Sequence, residues 1–281
     1  MNRSAIVLTV LFAFSAGCSD PGFEPVAKSE KKIEATIAAA VQYNEGDAAM
    51  VDTKCASSKT PDACAVLALI AEAQKKGAKL VVTPEYGLGQ KYLEADPKVG
   101  DMPATDSRWS SNSLIKNFAA QAKTLGIYLV INLQTYAGSE KYNAQVAFDP
   151  TGKVVARHHK FELFASESKS LTPGNDVSVF ETPMGKVGLL ICADMYGDLR
   201  RHDELVNTLG ARIIAVSSLW TAQGAPRWPA NFAKNWGVYV VSSNTTYGTG
   251  KGGGVFGPDG SALAVHEGGK PALVSATIPA K

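Results

Sequence analysis

The sequence has little net charge, few cysteines and no internal repeat. Its 28 Lys and Arg residues and 26 Asp and Glu residues leave a formal net charge of +2 over 281 residues. This is too close to neutral for the concentrated positive field that a phosphate backbone requires, so we expect no nucleic-acid partner. Four cysteines are too few for a disulfide scaffold. The absence of a repeat with a period of about 20 to 50 residues excludes a solenoid.

The N-terminus has the layout of an export signal. Arg3 precedes an apolar run, Ala5 to Phe14, that is too short to span a bilayer, and small residues then lead to Cys18. A cysteine directly after Ala-Gly resembles a bacterial lipobox, whose cysteine carries the lipid anchor after cleavage, although Ser15 stands where Leu is usual. The alternative is ordinary cleavage with Cys18 as a spectator. We expect an exported lipoprotein, anchored to a membrane and facing the periplasm or the cell surface.

The remaining chain is long enough for one large domain. Hydrophobic residues make up 45% of the sequence and charged residues 19%, so the chain can bury a full core. The predicted organisation is a signal peptide over 1–17, a Pro- and Gly-containing lipid-anchored tether over 18–32, and the domain over 33–281.

Two cysteines lie close together in the sequence. Cys55 and Cys64 flank a polar segment that predicts a loop leading into a helix. In an oxidising compartment such a pair favours a disulfide that closes a small loop. The alternative is a buried thiol at Cys64 and a free one at Cys55.

Apolar strand-like runs alternate with helical patterns along the domain, which predicts an α/β layered fold. Four predicted helices each pass through a glycine into a strand: Asp62 to Lys76, Ser113 to Leu125, Asp203 to Leu209 and Trp228 to Trp236. Two Pro-x-Gly turns between strands, within Val146 to Val155 and Gly254 to Leu263, predict β-hairpins. Hairpins within a strand-helix alternation imply mixed sheets, and two layers of helix enclosing two sheets would accommodate them.

Three strand ends carry groups suited to chemistry. Glu85 follows a buried strand that proline stops, Lys160 follows a strand that begins at Lys153, and Cys192 follows the apolar strand before Ala193. Reactive groups of α/β enzymes lie beyond the carboxyl ends of strands. The sequence therefore predicts that a carboxylate, an ammonium and a thiol lie together.

These three residues, in this order, resemble the Glu-Lys-Cys triad of the nitrilase, or carbon-nitrogen hydrolase, superfamily. Within that superfamily the chain is most similar to the biotinidase and pantetheinase (vanin) branch. The similarity rests on these residues: His159-Lys160, Leu163-Phe164, Thr182-Pro-x-Gly185, Cys192-x-Asp194 and Trp220. It departs from that branch at Ala193, where an aromatic residue is usual, and at Glu162, where His or Asn is usual. The resemblance implies a four-layer α-β-β-α sandwich of the nitrilase type with mixed sheets.

The resemblance also implies roles for the triad. Cys192 would be the nucleophile that forms a thioester, and Glu85 the general base and acid. Lys160 would stabilise the oxyanion together with the backbone N–H of Ala193. Neither a metal nor an organic cofactor is implied.

Other residues would support this site. Glu167 is the first choice for a second carboxylate after the lysine, and Glu162 is the alternative. Tyr86 and Trp220 are predicted to bind substrate, although Trp220 could equally pack in the core. A homodimer is a further expectation from the resemblance.

The expected activity is cleavage of a small, linear amide. A secondary amide of the pantetheine or biocytin type is the leading substrate, again on resemblance. A primary amide, a nitrile or an N-carbamoyl amine is the nearest alternative, because the same triad serves all of them. Acyl transfer to an amine also stays open. An alternative of another class is a catalytically inactive lipoprotein that captures a small ligand.

Overall fold

The computed structural model describes residues 32–221, 227–247 and 252–281. The predicted signal peptide, the lipidation site Cys18 and all but the last residue of the predicted tether lie outside the described residues. None of the helices in the described residues combines the length and the apolar character that a membrane span requires.

The described residues alternate between strands and helices. The strands are β1 (Thr36–Gln42), β2 (Ala78–Val82), β3 (Leu93–Ala95), β4 (Tyr128–Ala137), β5 (Glu140–Phe148), β6 (Val154–His159), β7 (Val179–Phe180), β8 (Val187–Ile191), β9 (Ile213–Ser217), β10 (Tyr239–Ser243), β11 (Gly254–Phe256), β12 (Ala262–Val265) and β13 (Ala272–Ile278). The α-helices are α1 (Ala48–Val51), α2 (Pro61–Lys75), α3 (Leu114–Leu125), α4 (Leu199–Asp203) and α5 (Arg227–Trp236).

The strands form two mixed sheets. The first sheet has the order β13-β1-β2-β4-β5-β6, with β3 beside β4, and the second has the order β12-β11-β10-β9-β8-β7. In the first sheet β1, β2 and β4 run parallel, and β5 and β6 follow as antiparallel neighbours. In the second sheet β8, β9 and β10 run parallel. Both predicted hairpins are present, as β5 with β6 and as β11 with β12, and the mixed character of the sheets is confirmed.

Three buried apolar layers separate the helices and the sheets. On β1, Ala39 and Val41 face the cluster under α2 and α3, whereas Ala38 and Ala40 face the cluster between the two sheets. This alternation is what the two-residue period of a strand produces. A third cluster packs α5, through Phe232, on the outer face of the second sheet. The order of layers is helix, sheet, sheet, helix, as the sequence predicted.

Local sequence signals set the bounds of the helices. Ser113 caps α3, since its Oγ accepts a hydrogen bond from the Lys116 N–H at 3.2 Å, and Gly126 ends it with a left-handed φ of 63°. The helix expected from Asp203 instead begins at Leu199, because the side chain of Asp198 accepts from the Arg200 N–H at 3.0 Å. A disulfide joins Cys55 to Cys64, with the sulfurs 2.01 Å apart, and so attaches the turn before α2 to that helix.

Candidate active site

The three strand-end residues meet at one edge of the molecule. Glu85 lies just beyond β2, Lys160 directly follows β6, and Cys192 directly follows β8 of the other sheet. The Lys160 Nζ donates a hydrogen bond to the Glu85 Oε1 at 2.8 Å, and Cys192 lines the same pocket as both residues. All three side chains are almost fully buried. A nucleophile, a base and a cation are therefore grouped in one buried site.

Glu167 is the second carboxylate that contacts the lysine. Its Oε2 accepts from the Lys160 Nζ at 2.7 Å and from the Phe164 backbone N–H at 3.0 Å. Its Oε1 accepts from the Tyr86 hydroxyl at 2.7 Å. Glu162, the alternative from the sequence, lies instead beside Gly197, where an added Cβ would meet the Glu162 side chain. The ammonium thus lies between two carboxylates, which fixes its position.

Two buried asparagines, which the sequence reasoning missed, connect this network. The Asn143 side-chain amide donates to the Glu85 Oε1 at 2.8 Å and to the Glu167 Oε1 at 3.0 Å. Asn132 donates to the Asn143 Oδ1 at 2.7 Å and accepts from the backbone N–H of Tyr86 at 2.8 Å, where φ is 56°. A polar residue such as Asn132 within an apolar strand pattern is a signal that could have revealed it. These amides hold both carboxylates at fixed positions around Lys160.

The turn that carries the thiol is fixed by Asp194, whose role the sequence reasoning also missed. Cys192 has a φ of 47°, a left-handed conformation that a non-glycine residue rarely adopts. The buried Asp194 carboxylate accepts from the backbone N–H of Ile191 at 3.0 Å and from the N–H of Phe161 at 3.0 Å. It also forms a hydrogen bond with the His158 Nε2 at 2.8 Å. Asp194 therefore joins the end of the lysine strand to the start of the cysteine turn.

Burial and charge shift the pKa values of the site. Burial raises the pKa of Glu85 above its usual value, against the opposing effect of the Lys160 ammonium. Burial and the Glu85 charge raise the pKa of the Cys192 thiol, while a hydrogen bond from the Leu219 backbone N–H favours the thiolate. For Lys160, burial alone would lower the pKa, but the neighbouring negative charges outweigh it and raise the pKa. For Glu167, the lysine outweighs burial and lowers the pKa. At neutral pH, Lys160 is a permanent cation.

A cleft with two adjoining lobes opens beside these residues. The first, which we call the thiol lobe, has a volume of about 280 Å³. The second, which we call the Glu45 lobe, has a volume of about 260 Å³. The lobes share these lining residues: Glu85, Tyr86, Gln90 and Leu219. Cys192, Lys160 and Glu167 line only the thiol lobe.

The remaining predicted site residues occupy different places. Tyr86 lines both lobes. Trp220 is buried against Trp228 in the cluster under α5. It is not among the described residues that line either lobe. Ala193 is buried in the turn Cys192–Tyr196. Over the described ranges, no group of three or more His, Cys, Asp or Glu side chains is arranged to hold a metal ion.

An α/β sandwich whose strand ends present a thiol, a carboxylate and an ammonium has the layout of a cysteine-dependent hydrolase. The sequence matches the Carbon-nitrogen hydrolase family over residues 37–280, so the chain belongs to this family.

Curated relatives and solved structures agree with this membership. Pantetheinase of Bos taurus is 30% identical over 231 residues, covering 70% of this chain and 44% of the relative. An omega-amidase of Danio rerio is 34% identical over 144 residues, covering 45% of this chain and 47% of the relative. The chain thus spans less than half the length of these relatives.

The fold has close structural counterparts. An amidase from Nesterenkonia sp. superposes with a TM-score of 0.67 at 21% identity, covering 89% of this chain and 92% of that chain. A mutant of the Nesterenkonia sp. AN1 amidase, with a TM-score of 0.68, carries the acetamide moiety of fluoroacetamide covalently on its active site cysteine. At this identity the likeness establishes the fold, and it confirms the layered sandwich.

Proposed function

We propose that this chain hydrolyses the C–N bond of a small amide through a thioester on Cys192. The observation that carries the proposal is the contact of one buried ammonium, Lys160, with two carboxylates, in the same pocket as the buried thiol of Cys192. Membership of the carbon-nitrogen hydrolase family supports it. A ligand-binding protein without chemistry would have no need for a base and a cation grouped with a buried thiol.

The first half-reaction forms the thioester. Because its raised pKa keeps the Cys192 thiol protonated at rest, the thiol transfers its proton to Glu85 as Sγ attacks the amide carbonyl carbon. The Lys160 ammonium stabilises the negative charge that develops on the carbonyl oxygen, with the backbone N–H of Ala193 as a second donor. Glu85 then gives the proton to the nitrogen, the C–N bond breaks, and the amine leaves.

The second half-reaction releases the acid. Glu85, again ionised, takes a proton from a water molecule that attacks the thioester carbonyl carbon. The C–S bond breaks, Cys192 regains a proton from Glu85, and the carboxylic acid departs. Glu167 and Asn143 do not exchange protons in this scheme. Their hydrogen bonds hold Lys160 and Glu85 in place.

The proposed substrate class is a secondary amide. Pantetheinase relatives, at about 30% identity over 70% of this chain, support a pantetheine-like amide. A biocytin-like amide rests on the sequence resemblance alone. The omega-amidase relatives support the second candidate, a primary amide. Nitriles and N-carbamoyl amines are chemically compatible with the same triad.

An amide and nitrile panel, read by amine and ammonia release and by intact mass, tests the proposal. We expect turnover by the wild type and an acyl adduct that is absent in Cys192→Ala. Replacing Glu85 by Gln removes the general base and should lower kcat/KM by about 10²- to 10⁴-fold. Glu162→Gln is the matched control, because its carboxylate does not contact Lys160, and should keep near-normal turnover. If the wild type showed neither turnover nor an acyl adduct, the proposed enzyme activity would be refuted. The alternative of a catalytically inactive, ligand-binding lipoprotein would then remain.

We also propose export with a lipid anchor on Cys18. The signal-peptide layout supports this, and so does the disulfide between Cys55 and Cys64, because such bonds persist in oxidising compartments. Labelled palmitate should be incorporated into the wild type and not into Cys18→Ala. Equal labelling of the two proteins would contradict the anchor.

A further inference from the structure

The two lobes of the cleft contact different parts of the reaction centre. The thiol lobe includes the nucleophile and the ammonium, whereas the Glu45 lobe reaches Glu85 but neither Cys192 nor Lys160. Besides the shared residues, the Glu45 lobe is lined by Tyr43, Asn44, Glu45, Thr245 and Tyr247. Glu85 is thus the one member of the Glu-Lys-Cys triad that lines both lobes.

The proton transfers dictate which half of an amide occupies which lobe. The carbonyl carbon must contact the Cys192 sulfur, and the carbonyl oxygen must lie near the Lys160 Nζ. The nitrogen must lie next to Glu85, because this carboxylate is the acid that protonates the departing amine. Because Glu85 lines both lobes, the Glu45 lobe is open to a substituent on this nitrogen, whereas the acyl chain begins at Cys192 in the thiol lobe.

We propose that the Glu45 lobe binds the amine half of the substrate and that the Glu45 carboxylate makes it select neutral or cationic amines over anionic ones. The inference rests on the proposed amide hydrolysis, since it uses the same Cys192 and Glu85. It adds a binding site for the leaving group and a residue that determines its charge.

Contacts around Glu45 place its carboxylate at this lobe. The Glu45 Oε2 lies 3.5 Å from the Gln90 backbone N–H, which donates to it. The Glu45 Oε1 also lies close to Gly89, whose φ is 96°: a Cβ atom added to Gly89 would be 3.2 Å from this oxygen. The Glu45 side chain is exposed, so its charge faces an occupant of the lobe and the solvent. It therefore acts on a ligand through space rather than through a buried ion pair.

No Lys or Arg is among the described residues that line the Glu45 lobe. Outside this lining, the Lys91 Nζ lies 5.2 Å from the centre of the Tyr92 ring, and that ring lies beside Gly89. The other side chains special to this lobe are the neutral Tyr43, Asn44, Thr245 and Tyr247. Behind them, Asp62 accepts from the Tyr43 hydroxyl at 2.7 Å, and Asp47 accepts from the Thr246 hydroxyl at 3.0 Å. Among the side chains that line the lobe, a carboxylate on the leaving amine would thus meet only like charge, and an ammonium would meet opposite charge.

Two matched series of substrates test the assignment. Both series are built on one acyl group, taken from the acid whose propylamide is turned over fastest in the amide panel. The first varies the amine half and comprises the propylamide, the diaminopropane monoamide and the β-alanine amide. The second keeps propylamine and places an ammonium or a carboxylate at the far end of the acyl chain. Each series is measured with the wild type, with Glu45→Gln and with the control Glu181→Gln. The Glu181 carboxylate is exposed and lines neither lobe. Ratios of kcat/KM within one variant cancel any difference in its active fraction.

The wild type should prefer the cationic to the anionic amine half by about tenfold at low salt, and this ratio should fall as salt screens the carboxylate. Glu45→Gln should bring the ratio close to unity, Glu181→Gln should not change it, and neither should alter the acyl-series ratio. A ratio that Glu45→Gln leaves unchanged, or a shift confined to the acyl series, would overturn the assignment while amide hydrolysis stands. Turnover of no amide at all would overturn the proposed function itself.

Discussion

At the scale of single residues, the position of one proton decides whether the thiol can react. The Cys192 pKa is raised, so the thiol depends on a neighbour to remove its proton, and the Glu85 pKa is raised, so this carboxylate binds a proton more readily than an exposed one. Both shifts arise mainly from burial. The same buried environment therefore raises the pKa of the thiol and the pKa of the carboxylate.

The pH dependence of kcat/KM should report Glu85. Below its pKa, Glu85 is protonated and cannot accept the thiol proton, so activity should be lost as pH falls. Because burial raises this pKa, the midpoint should lie above about 4.3, the ordinary value for Glu. Lys160, with its pKa raised, should keep its charge past about 10.4, the ordinary value for Lys. Activity that persists unchanged down to about pH 4 would contradict the assignment. Circular dichroism over the same range controls for unfolding.

At the scale of elements, the ends of two strands from different sheets are joined by one carboxylate. Asp194 accepts hydrogen bonds from Ile191, at the end of β8, and from Phe161, just beyond β6, and bonds to His158 on β6. The rare φ of Cys192 is maintained because these bonds hold both sides of the turn. Lys160 and Cys192 therefore keep a fixed separation although different sheets carry them.

Replacing Asp194 by Asn should destabilise the protein and impair the site. The amide offers one oxygen in place of two, so buried donors among Ile191, Phe161 and His158 lose their acceptor, at about 1–3 kcal/mol each. We expect a loss of at least about 2 kcal/mol in the free energy of unfolding, with kcat/KM of the folded fraction reduced about 10²-fold by displacement of the thiol. Urea unfolding and active-site titration measure the two effects.

Asp198→Asn is the matched control for this prediction. Asp198 caps α4, is more exposed, and accepts from the Arg200 N–H, a role that Asn fills about equally well. Asp198 also pairs with the side chains of Arg200 and Arg201, but exposed ion pairs of this kind contribute little to stability. Its unfolding free energy should stay within about 0.5 kcal/mol of the wild type. If Asp194→Asn behaved like this control, the proposed role of Asp194 in fixing the turn would be wrong.

At the scale of the whole molecule, the cysteines of the described residues divide into two kinds. Cys55 and Cys64 form a bond at the start of α2, and Cys192 is a buried free thiol in the cleft. The bonded pair lines neither lobe, so its contribution is to stability. An oxidising compartment thus favours the bond between Cys55 and Cys64, while burial shields the Cys192 thiol from oxidants.

Removing the disulfide should lower stability and leave the chemistry intact. The Cys55→Ser, Cys64→Ser double variant should lose about 2–3 kcal/mol of unfolding free energy, because the unfolded chain is no longer restricted by the closed loop. Its kcat/KM in the folded state should match the wild type. Chemical unfolding and thiol titration of the denatured, unreduced protein provide the measurements. Three or more free thiols in the wild type would show that the bond is absent in solution.

The sequence predicted the fold, and it placed three reactive groups at strand ends because each follows an apolar run with a clear end. To predict the positions of Glu85, Lys160 and Cys192, it was enough to know where each of their strands ends. Asn143, by contrast, reaches both carboxylates because β5 pairs with β4 in one register, with Asn143 opposite Gln134. The Glu45 lobe likewise depends on segments about 200 residues apart, such as Asn44 and Thr245, which bond at 3.0 Å. Pairings of this kind are tertiary and leave no periodic pattern in the sequence.

The pairing of the last strand with the first has a consequence for synthesis. β13 completes the first sheet by lying antiparallel to β1, with Thr36 opposite Ile278. During translation, β1 therefore stays an unprotected edge until nearly the whole domain has emerged. The carboxylate and the ammonium emerge before the thiol, and the thiol emerges before β13. All three residues of the triad have therefore emerged before β13 can close the first sheet.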